Sequence, residues 1–293
     1  MLIDFIKLPS DINLIIAVSF GLFVPPRILR QAKYGGLNVH PSFLPEEFSL
    51  RGPAPIHHAV LRGDEYMGAS LQTMHEEKFD HGVVLSQTPA PGLQVRPHPT
   101  MARTTRKLAV ECAELLVQGL RDGLHVPPYE DAGWKAKELA GKPLQHAPKI
   151  TTGDTEVDWA NWTPAEWERH LRLRRAVWTT GLSKGGKPRR LLFHDATQIP
   201  EEEVSGKRAT MEVMTQAGRD DEVRFRKLVS VNSKTGNIYI LLGKGAWLKV
   251  RRATLEGRPE KPAATGVRDF LVDWEESKKP PPKKEGVAEE TKT

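Results

Sequence analysis

The 293-residue sequence predicts an α/β domain followed by a small antiparallel β-barrel. In the first part of the chain, short apolar strands alternate with amphipathic helices, which is typical of an α/β domain. After residue 189 the pattern changes to short alternating runs separated by glycines and charged turns, as in small barrels. We therefore predict an α/β domain over 1–124, a connector with a basic helix over 125–188, the barrel over 189–275 and a disordered tail over 276–293.

Composition narrows the class of protein. Hydrophobic residues make up 39% of the chain, which is enough for a packed core. Cys112 is the only cysteine, so neither an internal disulfide nor a cysteine-based zinc site can form, and a reducing intracellular compartment is indicated. The net charge of +6 is compatible with an anionic partner, although basic balance alone is weak evidence for one.

The first predicted strand covers residues 14–18, an apolar run with β-branched side chains that is typical of a parallel strand covered on both faces. The apolar stretch 12–25 around it is shorter than the roughly 20 residues of a membrane helix. A short helix at 26–32 and a second strand at 37–40 follow. The sequence therefore predicts no membrane span.

The remaining elements of the first domain follow from periodicity. Residues 55–62 are helical in pattern, and 69–74 and 83–87 read as strands. A long amphipathic helix is predicted over 100–122, ended by Gly123. Its apolar face carries Leu108, Cys112, Leu115, Leu116 and Leu120.

The second half opens with a helix start. Thr163 is the predicted N-cap, Pro164 takes the first helical position, and Glu166 completes a capping box. The barrel strands are predicted at 190–194, 208–214, 228–231, 237–242 and 248–252. These runs are short and evenly spaced, which favours an antiparallel barrel.

Asn38 and His40 are the first candidates for chemistry. They lie two apart at the end of a predicted strand, so their side chains point to the same side. An amide donor beside an imidazole can hold a developing oxyanion. From this spacing alone, a structural asparagine and an ordinary loop histidine are the more common explanation.

Asp80 is the third candidate. It lies in the segment FDHG, and taken alone it is a turn aspartate. Beside His40, its carboxylate would orient the imidazole ring and stabilise a positive charge on it. A metal site built from His57, His58, His75, His81 and Asp80 matches no ligand spacing, so no metal is predicted. The segment 181–187 resembles a phosphate loop, but Pro188 stands where a hydroxyl is required.

A basic run lies between Arg169 and Arg190. Its eight basic residues are interrupted by no acidic residue: Arg169, Arg172, Arg174, Arg175, Lys184, Lys187, Arg189 and Arg190. A solvated helix face would usually mix both signs of charge. The run therefore favours contact with a phosphate backbone.

Four ordered segments in one short window resemble the folate-dependent formyltransferases: LNVHPSFLP, RGPAPIHHAVLRGD, GASLQTM and FDHG. Two later segments look like the connector and C-terminal barrel of the methionyl-tRNA formyltransferases: KITTGDTEVDWANWTPAEWERHLR and WLKVRRATLEGRPEKPAATGVRDF. The segments NVHPS and FDHG resemble those of the fungal, mitochondrial branch of the family. The resemblance covers roughly residues 11–275 and implies a partial Rossmann-like formyltransferase domain followed by an OB-like, tRNA-binding barrel.

This resemblance implies roles for individual residues. The family's catalytic asparagine, histidine and aspartate fall on Asn38, His40 and Asp80, and its folate-contacting loop falls on Ser42, Phe43, Leu44 and Pro45. The tRNA contacts are expected at Arg172, Arg174, Arg175, Lys184, Lys187, Arg189 and Arg190. The implied reaction moves formyl from 10-formyltetrahydrofolate, without a metal, to the α-amine of methionine on initiator tRNA. A monomer in the mitochondrial matrix is expected.

Three features depart from the family pattern. The first strands of the family domain have no counterpart, so we expect a poorly soluble or inactive chain and a longer natural protein with a targeting segment. The segment between Pro45 and Arg51 is lengthened, and one extra residue lies between Met74 and Asp80. Two alternatives stay open: an inactive RNA-binding remnant, and a formyltransferase acting on a sugar nucleotide or purine precursor. The predicted barrel and the basic run argue against the second.

Overall fold

The computed structural model describes residues 8–44, 51–95, 100–134, 146–215 and 222–277. The chain divides into two compact units, 1–152 and 153–293. Pro45 and the lengthened segment after it lie outside the described residues. The expected tail also lies outside them, except for its first two residues, 276 and 277. Within the described residues, no helix is long and apolar enough to cross a membrane.

The N-terminal unit is built on a mixed four-stranded sheet. The strands of the unit are β1 (Ile15–Ala17), β2 (Gly36–His40), β3 (Tyr66–Met67), β4 (Ser70–Thr73), β5 (Val84–Gln87) and β6 (Leu93–Gln94). Its helices are α1 (Pro26–Leu29), α2 (Pro55–Arg62) and α3 (Met101–Arg121). The sheet order is β1-β2-β4-β5, and β3 pairs separately with β6. Strands β1 and β2 are parallel, whereas β2–β4 and β4–β5 are antiparallel.

Helix α3 covers one face of this sheet. It begins after Thr100, whose side chain accepts a hydrogen bond from the Arg103 backbone N–H at 3.3 Å. The apolar stripe predicted for it packs on the sheet core: Cys112, Leu115, Leu116 and Leu120 lie against Leu37, Val39, Leu71 and Leu85. The helix therefore supports β2 and β4 from behind. These two strands carry the candidate site.

Strand β1 is less covered than the sequence suggested. It pairs in parallel with β2, as predicted, but it lies at the end of the strand order. Ile16 is 43% exposed and Val18 61% exposed, so the prediction of a strand covered on both faces was wrong within the described residues. Phe20 and Leu22 continue the exposed apolar stretch. An edge of this kind invites pairing with other chains.

We expect the double substitution Ile16→Lys, Val18→Lys to raise the monomeric fraction of the purified chain, because charged edge positions oppose strand addition. Light scattering against protein concentration measures the effect. The control is Val110→Lys, which removes an equally exposed valine from helix α3 (54% exposed). Equal scattering from both variants and the parent would show that this edge does not drive association.

The C-terminal unit is a closed barrel with a helix packed on it. Its strands are β7 (Val177–Leu182), β8 (Pro188–Ile199), β9 (Lys207–Thr215), β10 (Val223–Asn232), β11 (Asn237–Leu241), β12 (Trp247–Leu255), β13 (Lys261–Pro262) and β14 (Leu271–Asp273), with helices α4 (Pro164–Arg174), α5 (Ala263–Gly266) and α6 (Trp274–Ser277). The order β10-β11-β12-β8-β7-β9 closes through pairing of β9 with β10. Six antiparallel strands thus form the predicted barrel.

The start of α4 follows its sequence signal. The Thr163 side chain accepts from the Glu166 backbone N–H, and the Glu166 carboxylate accepts from the Thr163 N–H at 2.7 Å, which is the predicted capping box. Trp167 is fully buried in the barrel core with Phe193 and Phe270. Strand β7 had no counterpart in the sequence prediction, because we assigned its residues to the connector. The barrel therefore begins before residue 189.

Candidate active site

Strand β2 presents the first two candidate residues. In the antiparallel register of β2 with β4, Asn38 lies opposite Gln72, and His40 opposite Ser70. His40 is buried, with 6% of its surface exposed, and Asn38 is half-buried. The two side chains stand on the same side of the strand, since they are two residues apart.

Asp80 reaches this pair from the loop between β4 and β5. Its Oδ1 lies 3.4 Å from His40 Nδ1, and the two side chains are only 10% and 7% exposed. Asp80 has a left-handed backbone with φ of 54°, a conformation that aspartate tolerates better than most side chains. The structure therefore brings His40 and Asp80 together as the sequence analysis required.

A fourth side chain, Gln72, joins Asn38 to Asp80. Its Nε2 donates to Asp80 Oδ1 at 3.1 Å and to Asn38 Oδ1 at 3.4 Å. Gln72 is 1% exposed, and its Oε1 has no hydrogen-bond partner among the described residues. Sequence reasoning missed this residue. The available signal was a long polar side chain next to Leu71, in a short strand that pairs with the Asn38 strand.

Gly52 holds the other carboxylate oxygen of Asp80. The Gly52 backbone N–H donates to Asp80 Oδ2 at 2.9 Å. Gly52 has φ of +112°, and a Cβ there would lie 2.7 Å from His146 Cε1, so glycine is required on two counts. Arg51 buries two guanidinium nitrogens, and this desolvation lowers its pKa while the Asp80 charge opposes the shift.

Close packing around Gly82 explains why the segment FDHG ends in glycine. A Cβ at this position would overlap the Thr73 backbone oxygen and the Thr73 Oγ1. Thr73 in turn accepts from the Val83 N–H through Oγ1 at 2.9 Å, which fixes the return into β5. The absence of a side chain at Gly82 lets the chain pass close to β4 and sets Asp80 in place two residues earlier.

We expect Gly82→Ala to lower the rate of the reaction at this site by about tenfold or more, because an ångström-scale displacement of Asp80 would separate it from His40. Steady-state kinetics and a melting curve measure the effect. The control is Gly243→Ala, a turn position between β11 and β12 where an added Cβ meets nothing within 4 Å. A Gly82→Ala protein with parental kinetics would show that the close approach does not position Asp80.

The loop in which the extra residue is expected lies at the surface. The loop 75–79 turns outward and is closed by its own hydrogen bonds, in which His75 Nδ1 accepts from the backbone N–H of Glu77 at 3.0 Å and of Lys78 at 3.2 Å. Asp80 nonetheless stands beside His40. Among the described residues, no three His, Cys, Asp or Glu side chains cluster as metal ligands would.

The residues of the loop after β2 differ in their surroundings. Leu44 is 1% exposed, and its backbone N–H donates to Ser70 Oγ at 3.0 Å while its carbonyl accepts from Gln87 Nε2 at 2.6 Å. Its side chain therefore serves the core rather than a ligand surface. Phe43 packs against Trp134, with ring centroids 4.8 Å apart, and an added Cβ at Gly68 would overlap the Phe43 ring.

A cavity of about 290 Å³ opens beside this loop. Its lining includes Pro41, Ser42, Phe43, Tyr66 and Trp134. Pro41 directly follows His40, so the cavity begins where the candidate catalytic strand ends. Three aromatic side chains in one lining suit a planar ring system, with polar groups at the rim.

The seven predicted tRNA-binding residues occupy two elements of the C-terminal unit. Arg172 and Arg174 lie in the last turn of α4, and Arg175 is its left-handed C-cap. Arg172 pairs with Glu168 at 3.1 Å on the same helix. These cations thus gather at the carboxyl end of α4, where the helix dipole also favours positive charge.

The other four lie on the hairpin that joins β7 to β8. Lys184, Lys187 and Arg189 are exposed around its tip. Arg190 pairs with Glu256 at 3.1 Å, and its guanidinium stacks 4.2 Å from the centre of the Trp178 ring. The hairpin tip therefore carries three exposed cations, while Arg190 is held against the barrel.

Sequence comparison finds a family match within the N-terminal unit. Residues 8–120 match the family described as Formyl transferase. The chain is 33% identical over 210 residues to the mitochondrial methionyl-tRNA formyltransferase of Saccharomyces cerevisiae, covering 64% of this chain and 50% of that protein. It is 39% identical over 119 residues to a putative methionyl-tRNA formyltransferase of Schizosaccharomyces pombe, covering 41% of this chain and 33% of that protein.

Solved structures agree at the level of the fold. A crystal structure of HypX from Aquifex aeolicus in complex with tetrahydrofolic acid aligns with 88% of this chain and 39% of that chain, with a TM-score of 0.50 and 19% identity. The chain spans half or less of the length of the two fungal relatives. Residues 8–120 match the formyl transferase family, and the curated proteins that the chain resembles include methionyl-tRNA formyltransferases of fungal and mitochondrial type.

Proposed function

We propose that this chain transfers a formyl group from 10-formyltetrahydrofolate to the amine of methionine on initiator tRNA, for translation initiation in the mitochondrial matrix. The observation that carries the proposal is the His40–Asp80 pair at 3.4 Å, linked through Gln72 to Asn38, inside a formyl transferase domain. These residues supply the donor groups that formyl transfer to an amine needs.

Each residue has a part in the chemistry. When the amine attacks the formyl carbon, negative charge develops on the formyl oxygen. The Asn38 amide and a protonated His40 are the donors that stabilise this charge, in a site where His40 is buried and Asn38 is half-buried. Asp80 holds the imidazole by Oδ1, balances its charge and helps to remove the proton that the amine loses. When the tetrahedral centre collapses, the bond between the formyl carbon and N10 breaks, and N10 of the departing tetrahydrofolate takes up that proton.

The co-substrate fits the cavity after β2. Ser42 and Phe43 line it, and Trp134 and Tyr66 add aromatic surface for a planar pterin or aminobenzoyl ring. Leu44 supports this loop from the core instead of touching the ligand. Pro45, the last residue of the expected folate loop, lies outside the described residues.

Binding of the acceptor end of the tRNA explains the basic residues of the C-terminal unit. The cations at the end of α4 and on the hairpin tip suit phosphate contacts, which position an RNA without reading its sequence. Purine-pathway and sugar-nucleotide acceptors give no role to these residues. The fungal and mitochondrial relatives favour the organelle as its location.

A transfer assay with competing acceptors tests the proposal. Purified chain 1–293 is given 10-formyltetrahydrofolate with initiator methionyl-tRNA, elongator methionyl-tRNA, free methionine, a sugar-nucleotide amine or glycinamide ribonucleotide. Any formyl transfer by the chain should go to initiator methionyl-tRNA rather than to the other acceptors. Formylation of a small acceptor in its place would contradict the tRNA assignment, and no transfer by a cooperatively folded chain would favour an RNA-binding remnant.

A further inference from the structure

Gln72 occupies the centre of the candidate site, and neither the family comparison nor the proposed mechanism gives it a part. One amide nitrogen of this side chain contacts both Asn38 Oδ1 and Asp80 Oδ1. The same Asp80 oxygen lies 3.4 Å from His40 Nδ1. A single buried amide therefore bridges Asn38 and Asp80, two of the three groups to which the proposed function assigns the chemistry, and the third, His40, lies beside the same Asp80 oxygen.

The direction of these hydrogen bonds follows from the carboxylate. An ionised Asp80 can only accept, so the Gln72 amide must turn its NH₂ group toward it. The Asn38 atom beside that NH₂ must then be an acceptor, which fixes Oδ1 on this side. The Asn38 NH₂ is thereby turned away from Gln72, in the orientation that a donor to substrate requires.

We infer that Gln72 is a positioning residue for the formyl-transfer site: it sets the orientation of the Asn38 amide and holds the Asp80 carboxylate toward His40. Without it, the Asn38 amide could flip and present an oxygen where the reaction needs a donor. The inference rests on the proposed function for its kinetic consequence, but the orientation itself follows from the hydrogen bonds alone.

The register of the sheet supports this assignment. Gln72 lies directly across from Asn38 in the β2–β4 pairing, so the backbone itself delivers the amide to its partner. Burial excludes water from competing for these bonds, since Gln72 is 1% exposed. A buried amide kept with its Oε1 unpaired among the described residues is costly, which argues for a role of its NH₂ group.

Two substitutions separate positioning from general stability. Gln72→Met keeps the volume and removes the donor, and it should lower kcat about 10- to 100-fold, as expected when a hydrogen bond to a charged group is lost, with KM for the folate within about twofold. Gln72→Glu places a second carboxylate against Asp80. Because two adjacent carboxylates do not both ionise readily, its kcat relative to the parent should rise as pH is lowered, when the new carboxyl becomes a donor.

A matched control and a readout independent of activity complete the test. Thr104→Val removes another buried polar group of the same unit, whose Oγ1 donates to the Thr100 carbonyl at 3.2 Å, and should change neither the pH profile nor kcat. The side-chain amide of Asn38, followed by NMR with ¹⁵N-asparagine, should give one signal pair in the parent and a shifted or doubled pair in Gln72→Met.

The outcomes distinguish the inference from the proposed function. A Gln72→Met protein with parental kcat, or with an unchanged Asn38 amide signal, would overturn the positioning role. If the parent chain transfers no formyl group to any acceptor, the NMR result alone decides: a perturbed Asn38 amide upholds the positioning role while the proposed function fails, and an unperturbed one rejects it.

Discussion

Replacing His40 by asparagine should lower kcat for formyl transfer about a hundredfold or more, as the loss of an oxyanion donor does. The side chain is 7% exposed and stands 3.4 Å from Asp80, so water cannot take its place as a donor at this position. KM for 10-formyltetrahydrofolate should change little, because the lost interaction is made in the transition state rather than in the bound substrate.

The matched control is His58→Asn. This histidine lies on α2, and its ring contacts the Pro148 carbonyl at 2.9 Å, in the same unit but outside the candidate site. We expect it to retain parental kcat. A His40→Asn protein that melts like the parent and keeps more than a tenth of its kcat would remove His40 from the proposed mechanism.

Reversing charge at Arg174 and Arg175 together should weaken initiator tRNA binding strongly and flatten its salt dependence. Both residues lie at the carboxyl end of α4, where the predicted phosphate contacts begin. Each lost phosphate contact should reduce the slope of log K against log salt by roughly 0.9, so the double variant Arg174→Glu, Arg175→Glu should lose about 2 from it. Filter binding or fluorescence anisotropy across a salt series measures the slope.

The control is Arg106→Glu with Arg121→Glu, which makes the same change in net charge on exposed positions of helix α3. Long-range attraction falls equally in both double variants, so only a local contact can separate their slopes. An unchanged slope for Arg174→Glu, Arg175→Glu would contradict the contact. The same salt series, measured with the charges of Lys184 and Lys187 reversed, tests for a phosphate contact at the hairpin tip.

Local signals in the sequence were sufficient for several elements. Helix α3 begins directly after Thr100, the first residue of the range predicted for it, and α4 begins with the capping box predicted at Thr163 and Glu166. These signals work because a cap satisfies backbone groups within one turn of itself, without help from distant residues. The spacing of Asn38 and His40 on one strand likewise needs only the two-residue period of a strand.

Other features depended on pairing between distant segments. Strand β7 became a strand because β8 and β9 flank it, although its residues follow a basic helix and gave no separate signal. The exposed face of β1 depends on what lies beside it in the sheet, which an apolar run cannot reveal. Edge and interior strands share the same local propensity and differ only in their neighbours.

The sequence by itself determined the family pattern and the identity of the three polar groups, since these are written in short motifs around Asn38, His40 and Asp80. Only the tertiary structure decided how they meet. Gln72 reaches Asn38 and Asp80 through the register of β2 with β4, and Gly52 holds the second Asp80 oxygen from another loop. Hydrogen bonds between residues far apart in sequence depend on strand register and backbone approach, and both are properties of the packed chain rather than of any segment within it.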